Sequence, residues 1–212
     1  IEAFVGYAVS YPPIYLYFQN SIVVGHGAGM IKNAQPSNEA ELRVIIEYSD
    51  IMGGESAITD ADSLYYENNI DVDPRFVDQD DSDYRILASS LCVNGGHPDS
   101  TDSDATRADM GAYPYFNTYT GPDWDVNAST GSDITGTGAS DNAFASISAA
   151  LRWFGDGNTI YVASGTYEEN INVSGKSVSI IGADRGSTII DGGGVFTVVT
   201  IDSVDAAYIS GF

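Results

Sequence analysis

Three isoleucines, Ile160, Ile180 and Ile201, stand 20 and 21 residues apart in a stretch made of short strand-like runs and turns. The runs are "TIYV", "ENINV", "SVSII", "STII", "TVVTI" and "AAYISGF", divided by turns such as Ala183-Asp184-Arg185-Gly186 and Gly192-Gly193-Gly194. β-Branched and aromatic residues favour strands, and Gly-rich punctuation separates them. A constant period of this length is that of one coil of a parallel β-helix, in which each coil lays its strands on those of the next. A similar relation holds upstream. Asn20-Ser21-Ile22-Val23 and Tyr48-Ser49-Asp50-Ile51 read as equivalent places about 28 residues apart, again within the range of a repeat.

Just ahead of the later strands lies the one convincing amphipathic helix pattern. Ser146 suits an N-cap, and Ile147, Ala150, Leu151 and Phe154 form an i, i+3, i+4, i+7 stripe. Gly155 and Gly157 stop it, so the spacing predicts a helix over about 146–154. A solenoid's first coil exposes apolar side chains and unpaired strand edges, and a short helix laid across that end covers them. The expected fold is therefore all-β: a right-handed parallel β-helix (solenoid), the end of one unit followed by the capped start of a second. Residues 1–116 are expected to be the last coils and closing wrap of the first unit. Residues 117–141, rich in Gly, Ser, Thr and Asp, are the linker with a leading strand at "DWDVNAS". Residues 142–212 are the cap helix and first coils of the second. The chain starts without Met and stops in a strand-like run, so it reads as a piece of a longer protein cut at both ends. Within 66–116, Ile70, Val72, Phe76, Ile86 and Leu91 recur too often for disorder and suggest an irregular but ordered wrap.

Charge narrows the partners. Lys and Arg number 8 against 30 Asp and Glu, a formal net charge of −22. Nucleic acid and anionic membrane surfaces both call for a positive face, so neither is an expected partner. The apolar opening run is broken by Pro12 and Pro13 and is no membrane span. An acidic, Gly- and Tyr-rich chain suits an extracellular or cell-surface protein working in salt or calcium, where self-repulsion is screened. The lone Cys92 has no partner for an internal disulfide and reads as a buried thiol.

The stretch 131–193 also resembles a known family. Gly131-Ser132-Asp133, Phe144 to Ile147, Gly157 to Val162, Gly165-Thr166-Tyr167 and Ile181-Gly182 are similar to the N-terminal cap and first coils of right-handed parallel β-helix proteins with the pectin-lyase-like fold. Upstream, Asp73-Pro74-Arg75-Phe76-Val77-Asp78, Asp83-Tyr84-Arg85 and the run Arg107 to Tyr113 resemble the closing segment of similar repeats in large bacterial surface and secreted proteins. The pattern departs at Ala143, where the family has Pro, and at Asn94, where it has an acid. Trp153-Phe154 is bulkier than usual and suggests a contact with the preceding unit. The resemblance implies a fold rather than an activity.

Two functions follow as expectations. One is a non-catalytic segment of an extracellular or cell-surface protein, acting as a spacer, adhesin or polysaccharide-binding stalk, with neighbouring coils as its other partner. The alternative is a fragment of a polysaccharide-degrading enzyme, a uronate lyase or glycoside hydrolase, whose active coils lie outside this chain. No catalytic residue is assigned. Arg185 reads as half of a turn ion pair with Asp184, and paired acids such as Asp71/Asp73 and Asp123/Asp125 as solvated loops. Glu168 and Glu169 read as turn and exposed-face residues, and His26 and His97 as isolated. The Tyr residues, mainly expected in strand packing, could also form a sugar-stacking surface. Calcium is the one cofactor the residues suggest. "DSTDSDATRAD" offers Asp102, Asp104 and Asp109 as oxygen ligands, with Asp99 and Thr106 nearby. Arg107 stands where an EF-hand needs Gly, so it is no EF-hand. The competing role is an Asx-turn loop whose carboxylates bond its own backbone.

Overall fold

The computed structural model describes residues 12–25, 29–31 and 40–212. His26 and most of the apolar opening run lie outside them. Near the start, β1 (Ile14–Gln19), β3 (Leu42–Glu47) and β5 (Ser63–Glu67) form a parallel sheet in that order. Two-residue β2 (Ile22–Val23) and β4 (Asp50–Ile51) pair beside it, with Ile22 opposite Asp50 and Val23 opposite Ile51. That is the 28-residue offset legible in the sequence. An antiparallel pair follows, β6 (Phe76–Asp78) with β7 (Asp83–Ile86). The largest sheet has four parallel strands in the order β15-β12-β9-β8, namely Ala207–Ser210, Val178–Gly182, Asn158–Val162 and Asp123–Val126. Two parallel pairs complete the set: β10 (Gly165–Glu168) with β13 (Thr188–Asp191), and β11 (Ile171–Ser174) with β14 (Val199–Asp202).

This arrangement corrects the expected fold class. The described strands fall into six separate small sheets, none wider than four strands and one of them antiparallel, rather than a right-handed parallel β-helix solenoid with a second capped unit. The period also fails to hold. Ile160 faces Ile180, as the spacing suggests, but the next partner is Ile209 on β15. Ile201 sits opposite Val173 in a different sheet. The intervening Gly192-Gly193-Gly194 turn and the exposed Val195 and Phe196 lengthen that segment and throw the register off. No named strand occurs between Ile86 and Asp123.

The helix is where the pattern put it. α1 runs Ile147–Trp153, and the Ser146 hydroxyl accepts the Ala149 N–H at 3.1 Å. Ile147, Ala149, Ala150 and Phe154 are buried, while Leu151 is only half-buried. At seven residues the helix is too short to stand alone and depends on that packing. Trp153 meets Tyr115 with ring centroids 5.9 Å apart, and the Arg152 guanidinium bonds the Leu91 and Val93 carbonyls. Both contacts tie the helix to the preceding segment.

Among the described residues two clusters form the core. The larger joins Ile86 of β7 and Cys92 and Met110 of the wrap to Trp124, Phe144, α1 and the four-stranded sheet. Trp124 lies parallel to Phe144 and its indole N–H donates to Asn158 Oδ1 at 2.8 Å. The smaller is built on Leu42, Val44 and Ile46, the inward face of β3, with Ile31 and Ile51. Alternation along β3 sends Arg43, Ile45 and Glu47 to the opposite face.

Candidate functional site

That opposite face is aromatic. On β1 the alternation that buries Leu16 and Phe18 against the smaller cluster turns Tyr15 and Tyr17 outward. The register aligns Tyr17, Ile45 and Tyr65 in one row across three strands. Tyr17 is 64% exposed, Tyr15 49% and Tyr65 45%. With neighbouring strands about 4.8 Å apart, Tyr17 and Tyr65 stand roughly 10 Å apart along the row. Tyr15 and Tyr17 stack with centroids 6.2 Å apart and planes 16° from parallel. Polar groups fix the rings: Arg43 donates to the Tyr15 hydroxyl at 3.2 Å and its guanidinium lies 5.7 Å from that ring's centroid. The Arg43 guanidinium pairs with Glu41 at 2.7 Å, and the Tyr65 hydroxyl donates to Glu67 at 2.8 Å. That hydrogen bond raises the Tyr65 hydroxyl above its ordinary pKa. Flat, exposed rings with polar rims can stack on the apolar faces of sugars and bond their hydroxyls.

The three acids singled out for calcium do come together, but their oxygens face backbone N–H groups. Asp109, 4% exposed, accepts the Asn94 N–H at 2.6 Å and the Tyr115 N–H at 2.7 Å, one on each oxygen. Asp104 accepts the Thr106 hydroxyl at 2.8 Å and the N–H groups of Thr106 and Asn117 at 3.1 and 2.9 Å. Asp102 accepts the Asp109 N–H at 2.8 Å. Burial pushes the Asp109 carboxyl up to about 6, against the two N–H bonds that lower it. Desolvation also acts on Asp104, but its hydrogen bonds outweigh it and hold the carboxyl below the ordinary value. Among the described residues no group of three or more His, Cys, Asp or Glu is placed to hold a metal ion. The arrangement is that of a clasp closing the wrap on itself.

Other acids do similar work. Asp50, fully buried, accepts the Val72 N–H at 3.1 Å and the Cys92 thiol at 3.4 Å, and burial raises its carboxyl. The same burial pushes the Cys92 thiol up to about 12, so it is an inert buried thiol as the sequence suggested. Asp71 and Asp73 accept the N–H groups of Gly53 and Arg75. Glu169, expected in a turn or on an exposed face, is half-buried just beyond β10. Its carboxylate accepts the Ile147 and Ser148 N–H groups at 2.7 and 2.8 Å, capping α1 from 22 residues away in sequence. The expected Asp184–Arg185 ion pair is absent among the described residues, because Asp184 accepts the Gly186 N–H instead. His97 packs edge-on against Tyr48 at 4.8 Å and its Nδ1 accepts the Asp99 N–H.

No protein-family model, curated protein or solved structure matches the chain, so no relative lends it a function by similarity. Among the described residues no helix is long and apolar enough to cross a membrane.

Proposed function

We propose that this chain is a non-catalytic segment of an extracellular or cell-surface protein that binds polysaccharide through the tyrosine face of the β1-β3-β5 sheet. The supporting observation is the row of Tyr17, Ile45 and Tyr65 beside the stacked Tyr15, with Arg43, Glu41 and Glu67 at the rim. Tyr rings in strands commonly pack inward. Here three of them face outward on one sheet, over a span on which a linear glycan can lay successive rings. Two acids, Asp109 and Glu169, hold backbone N–H groups in the wrap and at the helix start.

Affinity electrophoresis through gels cast with soluble neutral and acidic polysaccharides tests this reading. Retardation of the native chain by at least one polysaccharide is expected, with Tyr17→Ala/Tyr65→Ala running at its unretarded rate. Equal retardation of the double variant, or none of the native chain on any gel, contradicts it.

A further inference from the structure

The outward face of the β1-β3-β5 sheet carries a further row beside the aromatic one. The register aligns Gln19, Glu47 and Glu67 two residues along each strand from Tyr17, Ile45 and Tyr65, a step of about 6.6 Å. Tyr15, Arg43 and Ser63 form the row on the other side. Glu47 is half-buried and Glu67 exposed. They are register partners on adjacent strands, so their carboxylates lie side by side along the edge of the aromatic row.

The two ends of this face handle charge differently. At one end the Arg43 guanidinium lies over the Tyr15 ring and pairs with Glu41, so the chain itself supplies a cation to an aromatic face and a carboxylate. At the other end the rings and carboxylates are present, but no Lys, Arg or His among the described residues pairs with them. The Glu67 carboxylate accepts the Tyr65 hydroxyl. The Glu47 carboxylate has neither a hydrogen bond nor an ion pair among the described residues. Like charges opposite one another on neighbouring strands are destabilising, and a cation shared by both removes that cost.

From this contrast we infer that the tyrosine face takes a glycan of unacetylated amino sugars, with pyranose faces on Tyr17 and Tyr65 and sugar ammonium groups on Glu47 and Glu67. An ammonium is attracted both by a carboxylate and by the face of an aromatic ring. The Gln19 amide donates and accepts toward sugar hydroxyls. A carboxylate-bearing glycan meets like charges at Glu47 and Glu67, and the one guanidinium on the face, Arg43, is already spent on Glu41. The inference rests on the reading of this face as a glycan surface and adds the charge of the sugar.

Isothermal titration in mildly acidic buffer, where sugar amines are charged, tests it with a β-1,4-linked glucosamine tetramer, its N-acetylated form, cellotetraose and tetralysine. The native chain should take the glucosamine tetramer at least about tenfold more tightly than the two uncharged sugars, the effect of one charge-assisted contact, and more tightly than tetralysine. Glu47→Gln/Glu67→Gln keeps side-chain size and should bring the glucosamine tetramer down to the level of cellotetraose, whose own binding should not change. Asp80→Asn/Asp81→Asn removes the same charge from the exposed turn between β6 and β7 and should leave every affinity as it is. Tyr17→Ala/Tyr65→Ala should abolish binding of all three sugars. Where cellotetraose still binds, three results would each overturn the amino-sugar assignment alone: equal affinity for the glucosamine tetramer and cellotetraose, equal affinity for tetralysine, or an equal loss in the two charge variants. Binding of no sugar by the native chain would overturn the glycan reading with it.

Discussion

The wrap from Ala88 to Asn117 and the four-stranded sheet β15-β12-β9-β8 meet the same requirement in opposite ways. Every buried backbone N–H needs an acceptor. In the sheet, the acceptors are carbonyls of the neighbouring strand, so the side chains of β9 and β12 are free to alternate between core and surface. In the wrap there is no strand ladder, and carboxylates supply part of what a ladder would. Asp102, Asp104 and Asp109 accept the N–H groups of Asn94, Thr106, Asp109, Tyr115 and Asn117. Acids on the sheet surface are therefore expected to be replaceable and those of the wrap structural, although the sequence makes both look like solvated loops.

The comparison can be broken most forcefully in the sheet. Trp124→Ala should destabilise the chain by about 3–5 kcal/mol, the usual cost of truncating a buried large aromatic, because its ring is 1% exposed and packed on Phe144. Chemical denaturation checks this. In the wrap, Asp109→Ala strands two N–H groups and should cost about 2–4 kcal/mol, whereas Asp191→Ala, exposed on β13, should change stability little.

A pH series sharpens the contrast. The folded-state pKa of Asp109 lies near 6, above the unfolded value of about 3.9. Its stabilising contribution is therefore full below the unfolded value and is lost as pH rises through about 6. Burial shifts Asp50 in the same direction. Asp104 is shifted down, so its contribution is present above the unfolded value and is lost as pH falls through its folded value. The unfolding midpoint should rise as pH falls from about 6.5 towards 4 and decline again below that. Asp109→Asn should flatten most of the rise, and a slope unchanged in that variant would assign it to other acids. A smaller effect than at Asp109 is expected at the cap: Ser146→Ala removes one N–H acceptor and should cost about 1 kcal/mol.

Much of the local structure was legible. Ser146 as N-cap follows from a small polar residue ahead of an apolar stripe, and the offset between Ile22 and Asp50 from similar short runs. Ile160 opposite Ile180 was legible too. Ile201 was not, since periodicity assumes equal steps and the Gly192-Gly193-Gly194 turn adds length without a recognisable strand. The fold class failed for the same reason: short parallel pairings can be read locally, but how many sheets they join into depends on the loops between them. The partners of Asp109 and Glu169 were illegible because they are backbone N–H groups of distant residues, which carry no side-chain signature. Alternation in "IYLYF" was visible, but which face is covered depends on the partner strands.

The most direct test of the clasp is thermal unfolding of the native chain and Asp109→Ala, each in calcium and in excess chelator. A ligand bound only by the folded state raises the midpoint. If these carboxylates hold backbone, Asp109→Ala melts on the order of 5–10 °C lower in both buffers, and the native midpoint is the same in calcium and chelator. A native midpoint that climbs with calcium and loses that climb in Asp109→Ala would make the three acids metal ligands and contradict the account.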